Sequence, residues 1–192
     1  LYALPRSKNA WMLFYNKQYF DDMGLPYPEQ MTWEEFADLA AAMTYTKGTK
    51  TYWGGFVPPE AANLGAITAG EYLTDDELPH TERFIDLLDR MYNQDRSCPD
   101  LNVMQWDYGE PYKLFGNGQM ARGVSADGMI SQLKDMGKKT TFSFEWDIAP
   151  LPVPDIEEAG TTVGSYTYIS VSASSAYQEQ AFSFASFYCG ED

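Results

Sequence analysis

Apolar positions along this chain switch between a continuous run and a helical period, and the first switch sets up a unit. Residues 10–15 (Ala10 to Tyr15) are almost wholly apolar, the pattern of a strand buried on both faces of an α/β sheet. After Asn16-Lys17, residues 18–23 read as a short helix stopped by Gly24, and Pro26 and Pro28 keep the next loop from extending it. Thr32 then stands at an N-cap position with Glu35 three residues on, the spacing of a capping box: the hydroxyl accepts from one free amide and the carboxylate reaches back to another. Behind it Trp33, Phe36, Leu39, Ala40 and Met43 recur at helical spacing, so this helix has one apolar face, and the preceding strand is its expected floor.

The remaining elements follow the same logic. Residues 1–4 read as a strand ended by Pro5 and followed by a polar turn, Arg6 to Asn9. Residues 46–50 form a polar turn centred on Gly48. Residues 52–57 read as a strand in which Gly54-Gly55 marks a close backbone approach, ended by Pro58-Pro59-Glu60. Residues 61–73 suggest a helix weakened by Gly65 and Gly70, and residues 81–93 a cleaner one, with Phe84, Leu87, Leu88 and Met91 opposite Glu82, Arg83, Asp86 and Arg90. A short helix at 108–115, a strand at 119–124, a turn through Ser125-Ala126-Asp127-Gly128 into a helix at 129–136, strands at 142–151 and 163–171, and a helix at 176–188 complete the chain. Strands and helices alternate, which predicts an α/β fold with a mainly parallel central sheet flanked by helices.

Composition narrows the function classes. With 44% hydrophobic and 16% aromatic residues the chain folds despite a net charge of −15. Thirteen basic against 28 acidic residues argue against a nucleic-acid partner. Fourteen tyrosines and five tryptophans exceed ordinary core needs and suit surfaces that pack on one side and meet a polar ligand on the other. No apolar run approaches the ~20 residues of a membrane span, and the start carries no charged-then-apolar leader. Leu1 in place of methionine implies a chain processed or excised from something longer.

Catalytic and metal chemistry find no support. Cys98 and Cys189 lie far apart with no metal-type spacing, His80 has no Ser or Cys motif beside it, and neither a phosphate loop nor a dinucleotide fingerprint is present. Asp75-Asp76-Glu77 lacks the alternating ligands and glycine of a calcium loop. A glycosidase needs two carboxylates within roughly 10 Å, and no spacing singles out a pair. The expectation is no cofactor, no metal and no enzyme.

Open α/β sheets bind ligands beyond the carboxyl ends of their strands, so the turns after strands are the candidate sites. The first offers Arg6, Asn9 and Trp11: a fork, an amide and a stacking face. The second is Pro58-Pro59-Glu60 with Asn63, the third Ser125-Ala126-Asp127, and the fourth Gly164-Ser165-Tyr166. Such sets match sugars, whose hydroxyls want donor and acceptor together and whose ring face wants an aromatic platform. Trp106, beside Asp107 in a polar loop, is the best remaining platform; Trp53 and Trp146 fit the core better. Simpler roles stand beside these. Arg6 and Asn9 also suit a solvated turn, Glu60 the start of a helix, and Asp127 the N-cap of the helix that follows.

Several segments carry a resemblance. Leu13 to Lys17 (L-x-Y-N-K), Gly24 to Pro28, Thr32 to Phe36 (T-W-E-E-F), Gly54 to Glu60, Phe115 to Arg122, Asp147 to Pro152 and the closing strand and helix from Gly164 to Tyr188 occur in the order found in carbohydrate-type extracellular solute-binding proteins of bacterial ABC importers. The chain resembles that family along nearly its whole length, with Arg122 where methionine is usual. The resemblance implies a periplasmic-binding-protein-like lobe over residues 1–161, with a hinge strand and a helix of the other lobe over 162–192. It implies a captured small solute of the carbohydrate class, delivered to an ABC permease, and an extracellular or periplasmic location with a lipid anchor in the full-length protein. Asn9 falls where maltose-binding-like members place a ligand-contacting carboxylate, and Glu60 falls in their second contact loop. Ser125 to Asp127 fall where a stacking tryptophan is expected, and none stands here. Two alternatives remain: a carbohydrate-active enzyme or its sugar-binding module, and a peptide- or polyamine-binding relative of the same fold. Without its own lobe, the terminal helix is expected to fold back, self-associate or swap into a neighbouring chain.

Overall fold

The computed structural model describes residues 3–190 apart from 59, 60, 62, 73, 101–110, 140, 141, 143, 156 and 158. The chain divides into two compact units, one of Trp11–Val163 and one of Leu1–Ala10 with Gly164–Asp192.

In the larger unit the elements are β2 (Trp11–Asn16), α1 (Lys17–Met23), α2 (Trp33–Met43), β3 (Tyr45–Lys47), β4 (Lys50–Tyr52), α3 (Leu64–Thr68), α4 (Pro79–Asp89), α5 (Pro111–Gly116), β5 (Arg122–Ala126), α6 (Gly128–Lys139) and β6 (Trp146–Ala149); β1 (Leu4–Lys8), β7 (Tyr166–Ile169) and α7 (Gln178–Cys189) belong to the smaller unit. β2 is the centre of a sheet ordered β5-β2-β6. Its alternate side chains go to opposite faces. Leu13 and Tyr15 join a core cluster with Trp33, Phe36, Ala40 and Met43 of α2 and Phe84, Leu87 and Leu88 of α4. Phe14 joins a second cluster with Leu114 and Phe115 of α5 and Met129 and Leu133 of α6. Leu13 and Phe14 are both 0% exposed, so the strand is covered on both faces, as its unbroken apolar run implies.

Strand direction differs from the expectation. β2 pairs antiparallel with both β5 and β6. Those two strands therefore run the same way, joined by α6 as a strand–helix–strand unit requires. Residues 53–56 also run parallel to residues 119–124, through Trp53 N to Gln119 O (2.9 Å), Ala121 N to Trp53 O (2.8 Å) and Val124 N to Phe56 O (3.0 Å). Among the described residues of this sheet only β2 is reversed. The cause is the proline-containing segment between α1 and α2. It crosses back along the sheet and pairs parallel at Thr32 with Val153, while Gln30 Nε2 donates to Leu151 O (2.8 Å). The helix α2 thus follows this return crossing and not β2 itself.

Local signals read from the sequence account for the helix ends. Glu35 N donates to Thr32 Oγ1 (3.2 Å) and Thr32 N to Glu35 Oε2 (2.8 Å), the reciprocal bonds of a capping box. Asn16 Oδ1 accepts from Gln18 N (3.0 Å) at the start of α1, and Gly24, at φ +64°, ends it in the left-handed region. A Cβ at Gly54 would collide with the Ala40 carbonyl, which is the close approach the double glycine marks. The polar stretch around Gly48 is the tip of the β3–β4 hairpin. The helix expected over 61–73 shortens to α3, consistent with its two glycines, and α4 runs on into a π-helical turn over Arg90–Gln94. Glu71, 9% exposed, satisfies the amides at the start of α4 by accepting from His80 N (3.0 Å) and Thr81 N (2.7 Å).

In the smaller unit β1 pairs antiparallel with β7, with an irregularity between Pro5 and Ser7. The polar turn expected over Arg6 to Asn9 is corrected here: Arg6, Ser7 and Lys8 lie within β1. The ladder continues past Pro5 because a bulge at an edge tolerates the missing N–H. α7 buries Ala185 but leaves Phe182, Phe184 and Phe187 exposed at 53%, 60% and 75%.

Candidate functional site

One edge of the larger unit's sheet collects the ends of several segments. β2 begins there, Trp11 opposite Ala126 at the end of β5. Residues 53–56 run toward the same edge, so the chain leaves it through Val57 and Pro58, and β6 arrives with Ala149 opposite Leu13. Residues 162–163 close it: Trp11 N donates to Val163 O (2.9 Å) and the Thr162 hydroxyl to Trp11 O (2.5 Å). This rim carries Trp11, Ser125, Asp127, Thr162 and Pro58, and it lies at the carboxyl ends of β5 and β6, where sheets of this class hold ligands.

The residues differ in what they offer. Trp11 is half-buried and packs partly on the core cluster below, so only part of its indole faces outward. Ser125 and Asp127 are half-buried at the end of β5. The Asp127 backbone carbonyl accepts from Ile130 N (3.0 Å) as α6 begins, while its carboxylate makes no hydrogen bond among the described residues. That carboxylate is therefore an unused acceptor at the rim and not the side-chain cap of α6. Asn63 precedes α3 with an exposed side chain and no capping bond. Glu60 and Trp106 lie outside the described residues.

Arg6, Asn9, Ser165 and Tyr166 belong to the smaller unit. Asn9 N donates to Ser165 O (3.0 Å), and Asn9 Oδ1 accepts from both Ser165 N (2.9 Å) and Ser165 Oγ (3.2 Å). The acceptor of Asn9 is thus occupied by the fold, which leaves only its amide donor for a ligand. Gly164 permits this clasp, since a Cβ there would strike the Asn9 carbonyl. Arg6 places its guanidinium 5.1 Å from the centre of the Tyr188 ring. Tyr166 is 59% exposed and lies 6.2 Å, centroid to centroid, from Tyr168 on the same face of β7. Thr162 was not singled out by the sequence reading. Its link to Trp11 spans 151 positions, and no local pattern announces such a pairing.

The sheet interior holds an unusual charge. Arg122, 0% exposed, donates from Nη2 to Phe36 O (2.6 Å) and from Nε to Gly54 O (3.3 Å), with its guanidinium 4.6 Å from the Phe36 ring centre. Among the described residues no carboxylate pairs with it. Burial lowers its pKa from the ordinary guanidinium value to about 9, and burial pushes the neighbouring Cys98 thiol up from 9.0 to about 12. Among the described residues no group of three or more His, Cys, Asp or Glu side chains is placed to hold a metal ion.

A family model described as bacterial extracellular solute-binding protein matches residues 1–192. No curated protein matches in sequence. Among solved structures the chain is similar to a sugar transporter from Rhizobium etli in an open conformation, with 25% identity and a TM-score of 0.75 over 100% of this chain and 50% of that one. It is similar to an ABC substrate-binding protein from Listeria monocytogenes in complex with cycloalternan, with 24% identity and a TM-score of 0.75 over 99% and 48%. A solute-binding protein from Agrobacterium vitis S4 with bound D-mannitol matches with 20% identity and a TM-score of 0.73 over 100% and 48%. The chain spans about half the length of these structures.

Proposed function

Because the chain belongs to the bacterial extracellular solute-binding protein family, we propose that it captures a carbohydrate outside the cytoplasm and presents it to an ABC permease in the membrane. The observation that carries this reading is the rim: Trp11, Ser125 and Asp127 at one edge of the sheet, an aromatic face beside the Ser125 hydroxyl and the unused Asp127 carboxylate. A sugar ring needs that combination. Related structures hold cycloalternan and D-mannitol, which supports a polyhydroxylated solute. The reading includes no chemical step on the sugar.

The chain spans half its relatives' length, so we read Trp11–Val163 as one jaw of a two-lobe clamp that a ligand draws shut. Residues 162–192 supply a crossing strand and a helix that pack with the second lobe, the exposed aromatic face of α7 being the surface so covered. Isothermal titration of the 192-residue chain with mannobiose or maltose gives no micromolar binding, because half the contacts are missing; micromolar binding would contradict the clamp. In the protein carrying both lobes, Asp127→Asn and Trp11→Ala weaken sugar binding by about tenfold or more, whereas Asp147→Asn, on the exposed face of β6, leaves it unchanged. Unchanged affinity in both rim variants would remove this edge from the binding site.

A further inference from the structure

The opposite edge of the same sheet holds a groove of about 440 Å³, within the range of small-molecule sites. We propose that it is a second carbohydrate site, separate from the rim, which takes a single neutral pyranose ring. Its aromatic floor is preformed. Tyr45 and Tyr52, directly opposite each other at the open end of the β3–β4 hairpin, stack with ring centroids 4.8 Å apart and planes 4° from parallel. Tyr45 remains 47% exposed.

The polar groups around this floor are those of hydroxyl recognition. Asn16 is 2% exposed and lines the groove. Its Oδ1 accepts from Gln18 N (3.0 Å), and its Nδ2 makes no hydrogen bond among the described residues, which leaves that amide free to donate. Asn117 adds a second amide, and at the lip Gln18 Nε2 donates to Asp22 Oδ1 (2.6 Å), which holds a carboxylate in place with acceptor capacity to spare. Tyr19, 9% exposed, gives its hydroxyl to Gly118 O (3.2 Å) and fixes the back wall. Among the described residues no arginine or lysine lines the groove, which disfavours a phosphate or carboxylate ligand.

The test is an NMR titration of the isotope-labelled 192-residue chain with N-acetylglucosamine and with mannobiose to about 50 mM, well past a millimolar Kd, with inorganic phosphate as the anionic control. A site here shifts the side-chain amides of Asn16 and Asn117 with either sugar and not with phosphate. Tyr52→Ala removes one ring of the floor and weakens that binding by about threefold to tenfold, while Tyr52→Phe keeps the floor and the fold and preserves it. The proposal is overturned if neither sugar shifts these amides, if phosphate shifts them as strongly, or if the shifts survive Tyr52→Ala. Shifts confined to Ser125 and Asp127 would also overturn it while supporting the rim, so the two readings fail separately.

Discussion

Replacing Arg122 by methionine should leave the protein as stable as before or more stable. This reverses the usual sign for a fully buried residue, since core substitutions typically destabilise by about 0.5–3 kcal/mol. The fall in the Arg122 pKa from the ordinary guanidinium value to about 9 corresponds, at about 1.36 kcal/mol per pH unit, to about 5 kcal/mol against holding the charge inside the fold. Against this stand the bond to Phe36 O, the longer one to Gly54 O and the contact with the Phe36 ring, worth about 1.5–3 kcal/mol for a good charged hydrogen bond and up to about 2 for the ring. The two sides nearly cancel. Methionine fills the same channel with a flexible apolar stem and leaves little orphaned, because Phe36 O lies inside α2 and keeps its place in the helical ladder. The expected change runs from zero to about +3 kcal/mol, in line with other buried charges replaced by apolar groups. Urea unfolding followed by circular dichroism at pH 7 reads it as an unchanged or raised midpoint at constant slope. A loss of more than about 2 kcal/mol in Arg122→Met would refute the reasoning and make the guanidinium a net support of the sheet. Arg122→Lys provides the contrast, since it keeps a charge but loses the planar fork, and it should destabilise.

The same pair of buried groups contributes to the alkaline behaviour. Above about pH 9 and below the ordinary guanidinium pKa the folded chain has lost the Arg122 proton that the unfolded chain keeps, so this group adds stability as pH rises; between 9.0 and about 12 the folded chain keeps the Cys98 proton that the unfolded chain has released, so this one removes stability. The slopes oppose, and Arg122→Met should lose stability with rising pH more steeply than the parent in melts between pH 8 and about 10.5; parallel curves would show that Arg122 does not titrate there. Thr32→Ala breaks the capping box and should lower stability by about 1 kcal/mol in the same urea assay, with no loss pointing to a cap supplied by other groups. At Glu71, burial favours the neutral acid, but hydrogen bonds from Thr81 and His80 outweigh it and hold the carboxyl below its usual range. Its contribution is therefore present above the ordinary carboxylate pKa and lost as pH falls through the lower folded value, so Glu71→Gln should flatten the acid limb of the stability profile, and an unaltered limb would remove Glu71 from that role.

What the sequence disclosed was local. The Thr32–Glu35 box, the Gly24 stop, the Gly54 approach and the two-sided burial of β2 each depend on residues a few positions apart or on the composition of one run, and each stands in the structure as read. What escaped depends on distant partners. The segment from Pro26 to Thr32 carries loop residues, and only its pairing with Val153 turns it into the crossing that reverses β2. Arg6 looked like part of a turn because Pro5 precedes it, yet β7, over 150 residues on, supplies a ladder for it. The site reading shared this limit. Asn9 has the right chemistry for a sugar, but its acceptor is taken by Ser165 across 156 positions. Asp127 emerged with its carboxylate unused, which composition alone does not distinguish from a cap.

The hairpin of β3 and β4 has a practical consequence. Its base is latched where Gly54 N donates to Thr44 Oγ1 (2.8 Å), its stacked tyrosines brace the stem, and its tip at Gly48 is exposed at φ +65°. Such a loop can be opened to create new chain ends, or lengthened to carry a fluorophore, without disturbing the strands it interrupts. A dye mounted at Gly48 would sit beside the tyrosine-lined groove and at the other end of the sheet from Trp11, so a single labelled chain would report local occupancy while leaving the rim unmodified.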